Sequence, residues 1–527
     1  MSAFGVPSTP PQRFSMTNHL YDALSASLAG APDAPLIAGS PAGMSSYREF
    51  FASVGRLADG LQARGLAPGD KIAAIAPKSV EFFHLYLAAL ASGAVFMPIN
   101  PDSTRLELQH VLEDARPEFA AIGQDRFGEL CGLCRGIGLS RILTFGGGES
   151  NSLGRLGSGA AVSRPVVERT SEDVAALLYT SGTTGKPKGV VLSHGALRSN
   201  SQALCEIWGF KASDILIHAL PVFHTHGLFV ATNVALMAGA SMHVLETFSV
   251  QGVINAIPKA TAFMGVPAMY TRLLGHPDLS PRLAAGFRLF ISGSAPLLEA
   301  THRQWEFRTG HKILERYGMT EANMITTNPL DGDCIPGTVG TPLPGVKARI
   351  CDAASGAEVE PGEIGMLEIK SPGLFLGYHG SEELTRRSYR DDGYFITGDL
   401  ARRNGKGHFV IEGRADDLVN SGGFNVYPKE VEAAIDRVAG VVESAVIGVP
   451  HPVFGQGVVA VVECKCVGEE LRSAIFAEVE KNLTSYKRPK LVLLRTELPR
   501  NALGKVQKSV LRKECREVFE ENSSTGA

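Results

Sequence analysis

Between residues 71 and 122 the chain alternates short apolar runs with amphipathic stretches, a pitch that favours parallel sheets covered by helices. Lys71–Ala76 reads as a strand, and Ser79 then caps a helix whose apolar residues include Phe82, Phe83, Leu87 and Leu90. Gly93 closes that helix and Val95–Pro98 reads as the next strand. The unit repeats with a helix around Leu106–Leu112 and a strand at Phe119–Ile122. Parallel strands need a crossover for every return, so this alternation predicts an α/β fold with both sheet faces covered. At 527 residues the chain is too long for one compact core, and two or more domains are expected.

A second feature narrows the chemistry. Residues 180–189 read Thr180-Ser181-Gly182-Thr183-Thr184-Gly185-Lys186-Pro187-Lys188-Gly189, directly after the strand-like run Val174–Tyr179. Three glycines let the backbone approach an anion closely, while the hydroxyls and two lysines complement its charge, which suits a triphosphate. The spacing is not that of the common P-loop. Gly182 and Gly185 are too close together, and Pro187 stands where a magnesium-binding Ser or Thr would be.

Composition sets the outer limits. Apolar content of 44% and charged content of 20% describe an ordinary globular protein. A formal charge of −3 gives no electrostatic case for nucleic acid or an acidic membrane, and no apolar stretch is long enough to span a bilayer. The first fifteen residues lack the apolar segment of a secretory signal, so residues 1–15 are expected to be a disordered leader and the protein to be cytoplasmic. Eight cysteines over this length predict no disulfide framework. Cys131 and Cys134 have CxxC spacing, but no second pair or neighbouring histidine completes a zinc site, so they are read as two thiols on a partly buried helix.

Gly146–Gly159 is rich in Gly and Ser and reads as an exposed loop. A boundary falls near Gly413–Asp417. Beyond it, Pro428 opens a short amphipathic helix, followed by a strand at Val441–Val449, a helix at about 470–483 and a strand at Leu491–Leu494. The expected division is a large N-terminal domain over 16–414 and a small, mobile α+β domain over 415–518, with 519–527 disordered.

Six segments in order resemble the adenylate-forming superfamily of acyl-CoA synthetases, luciferases and peptide-synthetase adenylation domains. They are the loop at 180–189, Ser292–Pro296, Glu315–Glu321, Tyr394–Asp399, Gly413-Arg414 and Pro499–Lys505. The resemblance covers about residues 40 to 515. It implies mixed and parallel sheets covered by helices plus a β-barrel-like subdomain, and two half-reactions: acyl-adenylate formation, then transfer to the thiol of coenzyme A. It places Thr180, Ser181, Gly182, Thr183, Thr184, Lys188, Gly293, Ser294, Ala295, Glu315, Tyr317, Gly318, Met319, Thr320, Asp399, Arg414 and Lys505 around ATP. Within that set Tyr317 would stack on adenine, with Gly293 and Ala295 leaving room for the purine. Asp399 would accept the ribose hydroxyls with Arg414 as its helper, and Thr320 would hydrogen-bond the α-phosphate. Glu321 would supply a hard oxygen to Mg2+, with Thr183 beside it. Lys505 would neutralise charge as the acyl carboxylate attacks the α-phosphate, and is also a candidate acetylation target. Asp416 matches the family hinge, and Ser421, Gly422 and Gly423 match the segment lining the thiol tunnel.

Three further segments look like those of malonyl-CoA synthetases: Phe223–Gly227 with His224 and His226, Gly265–Arg272, and Glu315–Tyr317 with Arg316. The resemblance names His226, Arg272, Ser294 and Arg316 as contacts of a second substrate carboxylate, with His224 at the more general gate position. Two guanidinium forks suit such a group. An ATP-dependent malonate–CoA ligase, with methylmalonate as a second substrate, is therefore expected. The alternatives are a ligase for another short-chain or aryl acid, a carrier-loading adenylation domain, and a nucleotide-binding regulator without catalysis. Retention of Lys505, Glu321 and Asp399 argues against the last.

Overall fold

The computed structural model describes residues 18–146, 152–157, 164–181, 187–501 and 504–519. The leader, the last eight residues, Gly182, Thr183, Thr184 and the side chain of Ser181 lie outside that description.

Two large mixed sheets carry the N-terminal part. The first orders its strands Gly377–Tyr378, Pro187–Ser193, Val174–Ser181, Val95–Ile99, Lys71–Ile75, Phe119–Gly123 and Arg141–Phe145. Its five last-named strands are parallel, as the alternation predicts, and the two at its other edge are antiparallel. The second has nine strands with a parallel centre, in which Ala262–Gly265, Leu289–Ser292 and Ile313–Met319 lie side by side.

Local sequence explains the elements between them. Ser79 accepts from the Phe82 N–H and opens the helix Val80–Ala91. Thr104 and Glu107 form a reciprocal capping box on Arg105–Ala115. The helix Val80–Ala91 is apolar nearly all round, so it is buried nearly all round, with Phe82, Phe83, Tyr86 and Leu90 in the core shared by both sheets.

Two expectations change. The Gly/Ser-rich stretch contains a short helix, Ser152–Gly157, because Leu153 and Leu156, three apart, bury one face in the core. The barrel-like element is an open antiparallel sheet of Lys347–Cys351, Gly365–Lys370, Phe395–Arg403 and Phe409–Arg414, whose outer strands do not pair. The strands Val174–Ser181 and Pro187–Ser193, which flank residues 182–186, pair antiparallel with Thr180 opposite Lys188.

After Arg414 a single 3-10 turn, Ala415–Asp417, leads into a five-stranded sheet built on the long pair Val441–His451 and Gly455–Cys464. Helices Pro428–Ile435 and Glu469–Asn482 supply apolar residues to a core separate from that of the large sheets.

Candidate active site

Parallel strands deliver the site at their carboxyl ends, where open α/β sheets bind ligands. Strand Leu289–Ser292 runs out into Gly293, Ser294 and Ala295, and the neighbouring Ile313–Met319 carries Arg316 and Tyr317 just beyond Glu315, where its pairing with that strand ends.

Arg316 is buried, 3% exposed, and no carboxylate pairs with it among the described residues. Its Nη2 donates to Ser294 Oγ at 3.4 Å, and its Nε has no partner among them. Burial alone pushes its pKa down to about 9. An unpaired buried guanidinium is costly to maintain, so its environment fits an anion brought by a ligand. His226 completes the cluster. Its Nδ1 lies 3.2 Å from Ser294 Oγ, and its Nε2 is buried without a partner among the described residues. Burial first, then the adjacent Arg316 charge, hold the imidazole well below its ordinary pKa, so it is neutral at pH 7.

The chain accommodates His226 through a π-helical turn, His226–Thr232, a distortion that recurs at functional sites. Gly227 is required there, since a Cβ would sit 1.9 Å from the Pro221 carbonyl oxygen. The support underneath is polar and buried. His218 Nε2 lies 2.9 Å from the Gly227 oxygen, and Lys78 Nζ donates to the His218 and Leu220 oxygens at 2.9 Å each. Neither Lys78 nor His218 stands in a segment that marks the site in sequence.

Two expected acyl contacts are not brought into this cluster. Arg272 is exposed on helix Pro267–Leu274, with its guanidinium 4.9 Å from the Phe248 ring centre. His224 is half-buried with its ring 4.6 Å from Phe223, and burial pushes its pKa down to about 4.

On the nucleotide side, Tyr317 Oη donates to Asp399 Oδ2 at 2.5 Å, and Arg414 Nε meets Asp399 Oδ1 at 2.9 Å. Asp399 and Arg414 face each other across adjacent strands, which fixes the pair. Glu315 departs from its expected place. Its carboxylate is turned away to His302 Nδ1 at 3.2 Å and the Gly337 N–H at 3.1 Å, a buried support. Gly318 and Met319, which end the same strand, and Thr320, which follows it, are half-buried. Glu321 accepts from Tyr378 Oη at 3.0 Å, and Lys188 Nζ lies 5.7 Å above the Tyr378 ring, which gathers both on one side of the cleft. Tyr378 is a neighbour that sequence reasoning missed.

The C-terminal part reaches the same cleft. Lys505 is exposed, yet burial of its ammonium first, and then Arg414, lower its pKa, with Asp399 and Asp417 pulling the other way. Asp417 pairs with Arg512, while Asp416 lies in the connecting turn. Ser421 is buried at the end of the hairpin strand Val419–Ser421, and the Gly422 N–H donates to the Phe454 oxygen at 2.9 Å.

The chain matches the AMP-binding enzyme family over residues 24–379 and the AMP-binding enzyme C-terminal domain over 430–505. Its fold is similar to ATP-bound MatB from Rhodopseudomonas palustris, with TM-score 0.91 and 46% identity over 96% of this chain and 100% of that one. It is 32% identical over 514 residues to the mitochondrial malonate–CoA ligase of Homo sapiens, covering 89% of this chain and 88% of the relative. It is 31% identical over 482 residues to the sulfoacetate–CoA ligase of Cupriavidus necator, covering 90% and 94%. The human relative is mitochondrial, as are its mouse, cattle and Xenopus counterparts, which overturns the cytoplasmic expectation. Lack of an apolar segment argues only against secretion, because mitochondrial transit peptides are amphipathic rather than apolar. The chain belongs to the AMP-binding enzyme family: it is an AMP-forming acid–thiol ligase that uses ATP to join a short acid to coenzyme A through an acyl-adenylate.

Proposed function

We propose that the short acid is malonate, with methylmalonate as a second substrate. The observation that carries this is Arg316, a buried cation without a carboxylate partner among the described residues, beside Ser294 and neutral His226. One carboxylate of malonate would pair with Arg316 while the other faces the α-phosphate. The relatives support this charge pattern: malonate and sulfoacetate both carry a second anionic group across one carbon from the reacting carboxylate.

The roles of the other residues are those the resemblance implies. Asp399, fixed by Tyr317 and Arg414, would accept the ribose hydroxyls, and the Tyr317 ring with Gly293 and Ala295 would hold the purine. Thr180, Ser181, Gly182, Thr183, Thr184 and Lys188 would hold the β- and γ-phosphates. Among the described residues no cluster of three acidic, His or Cys side chains could cage a metal. Magnesium does not need one, since it takes one or two carboxylates and fills its shell with water and phosphate oxygens. Glu321, hydrogen-bonded to Tyr378 and not ion-paired among the described residues, fits that requirement; Thr183 would be the second ligand that the resemblance implies. When bound, the ion would neutralise phosphate charge.

In the first step a carboxylate oxygen of malonate bonds to the α-phosphorus and the bond to the bridging pyrophosphate oxygen breaks. Thr320 would bind the α-phosphate, and Lys505 would balance the charge that develops. In the second, the coenzyme A sulfur bonds to the acyl carbon and AMP leaves with the electron pair of the broken C–O bond. Lys505 must withdraw before the thiol enters, so residues 415–518 would turn about Asp416, bringing Ser421, Gly422 and Gly423 to the thiol path.

The test is pyrophosphate release from ATP across an acid panel, with and without coenzyme A. Malonate and methylmalonate should drive release far above acetate, propionate, butyrate and benzoate. Equal rates with butyrate would make Arg316 structural and the enzyme a general short-acyl ligase.

A further inference from the structure

The peptide group joining Gly504 to Lys505 is held at both of its polar atoms by side chains. Its carbonyl oxygen, on Gly504, accepts from Arg500 Nη1 at 3.1 Å, and its N–H, on Lys505, donates to Asn501 Oδ1 at 3.0 Å. The Asn501 N–H in turn donates to the Lys505 oxygen at 2.9 Å, and the Gly504 N–H to the Asn501 oxygen at 2.8 Å. A turn in the exposed tail of a small domain would ordinarily fray. This one is fixed in orientation immediately before the residue whose ammonium must reach the α-phosphate.

Arg500 is itself anchored. Its Nη1 lies 2.6 Å from Glu443 Oε2 and its Nη2 lies 2.7 Å from Glu463 Oε2. Glu443 and Glu463 are register partners on the paired strands Val441–His451 and Gly455–Cys464, the longest pair of the C-terminal sheet. Glu463 Oε2 also accepts the Leu498 N–H at 3.2 Å, which ties down the segment leading into the turn. The far side of the turn meets the N-terminal part, where a Cβ on Gly504 would lie 3.4 Å from the Ala268 Cβ at the start of helix Pro267–Leu274. Two like charges side by side on adjacent strands are unfavourable by themselves. A guanidinium between them relieves that repulsion and leaves the second hydrogen of Nη1 for the Gly504 carbonyl.

We infer that Arg500, with Asn501, is a positioning residue for adenylation: it transmits the rigidity of the C-terminal sheet to the Gly504–Lys505 peptide and so aims Lys505. This rests on the role proposed for Lys505 above. A misplacement of about 1 Å at a reacting centre can cost on the order of 10²-fold, so loss of the clamp is expected to matter although Arg500 touches no substrate.

The experiment is a double-mutant cycle on the full-length enzyme, with Arg500→Met, Lys505→Ala and the pair. The adenylation rate is read by pyrophosphate release, and the thioester step by coenzyme A acylation from supplied malonyl-adenylate. Arg500→Met should slow adenylation roughly 10- to 10²-fold with little change in KM for ATP or malonate, and leave the thioester step intact. In the Lys505→Ala background the same substitution should cost nothing further, because the residue it aims is gone. Arg500→Lys keeps the charge between Glu443 and Glu463 but loses the fork, and should recover part of the rate. Equal losses from Arg500→Met in both backgrounds, or equal losses in both half-reactions, overturn the inference. If Lys505→Ala alone leaves adenylation unchanged, the role of Lys505 fails instead, and the two failures are distinguishable.

Discussion

Arg316 lies flat against Gly293, so close that a Cβ on Gly293 would fall 2.4 Å from Arg316 Cζ. The glycine creates the slot that the guanidinium fills, and the two follow directly on Ser292 and Glu315, which are register partners on neighbouring parallel strands. Gly293→Ala should therefore displace Arg316 from Ser294. Overpacking of this kind costs about 1–3 kcal/mol, so malonate kcat/KM should fall roughly 10- to 10²-fold, and because Gly293 also leaves room for the purine the KM for ATP should rise with it. Steady-state kinetics with malonate and ATP varied separately checks this; an unchanged malonate kcat/KM would show that the slot is not needed.

Lys505→Ala should slow adenylation by about 10²–10³-fold, the scale of losing one preorganised transition-state donor. Thioester formation from supplied malonyl-adenylate should survive. Rapid-quench measurement of each half-reaction separates the two, and equal loss in both would point to a shared role or a folding defect.

Burial pushes the Lys78 pKa down to about 7 from 10.5, with Glu246 opposing. Between those values the unfolded chain holds the proton that the folded one has released, so native-state stability climbs as pH rises through that window. Below it both states are protonated and the cost of the buried charge is present in full. Urea denaturation of the wild type should show greater stability at about pH 9.5 than at about pH 7, by a few kcal/mol at most. Lys78→Met should flatten that rise, and an identical rise in the variant would place its origin elsewhere.

Arg272→Leu should weaken the malonate preference less than Arg316→Leu. Arg272 is exposed on the Phe248 ring, and exposed charge interactions are worth about 0–1 kcal/mol, or roughly fivefold at most. Competition assays between malonate and propionate on both variants rank them directly. A larger loss in Arg272→Leu would show that this side chain swings into the pocket during turnover.

Much of this architecture is written locally. Ser79 and Thr104 announce their helices because a cap satisfies N–H groups only two or three residues away, and the strand–helix alternation of 71–122 reflects burial on both sheet faces. The placement of Arg272 was also open to periodicity. Met269, Tyr270, Leu273 and Leu274 take the buried face of the helix, which leaves Arg272 outside. Glu315 points away from Arg316 because successive strand residues face opposite sides. Lys78 gives no such signal. A lysine is ordinarily solvated, and only the meeting of its ammonium with two carbonyls some 140 residues onward reveals it as support for His226. The short helix Ser152–Gly157 escaped because the glycines and serines around it outweigh two leucines whose burial depends on the tertiary core.

The most direct measurement is the malonate-to-propionate ratio of kcat/KM in the wild type and in Arg316→Leu. Propionate presents the same reacting carboxylate with a methyl group in place of the second one, which leaves Arg316 buried and unpaired. Breaking such a pair costs on the order of 3–5 kcal/mol, so the wild-type ratio should be at least about 10²–10³. Arg316→Leu should bring it to within about tenfold of unity, with the KM for ATP little changed. A wild-type ratio near one, or a ratio that survives the loss of Arg316, would contradict the assignment of this guanidinium to the second carboxylate.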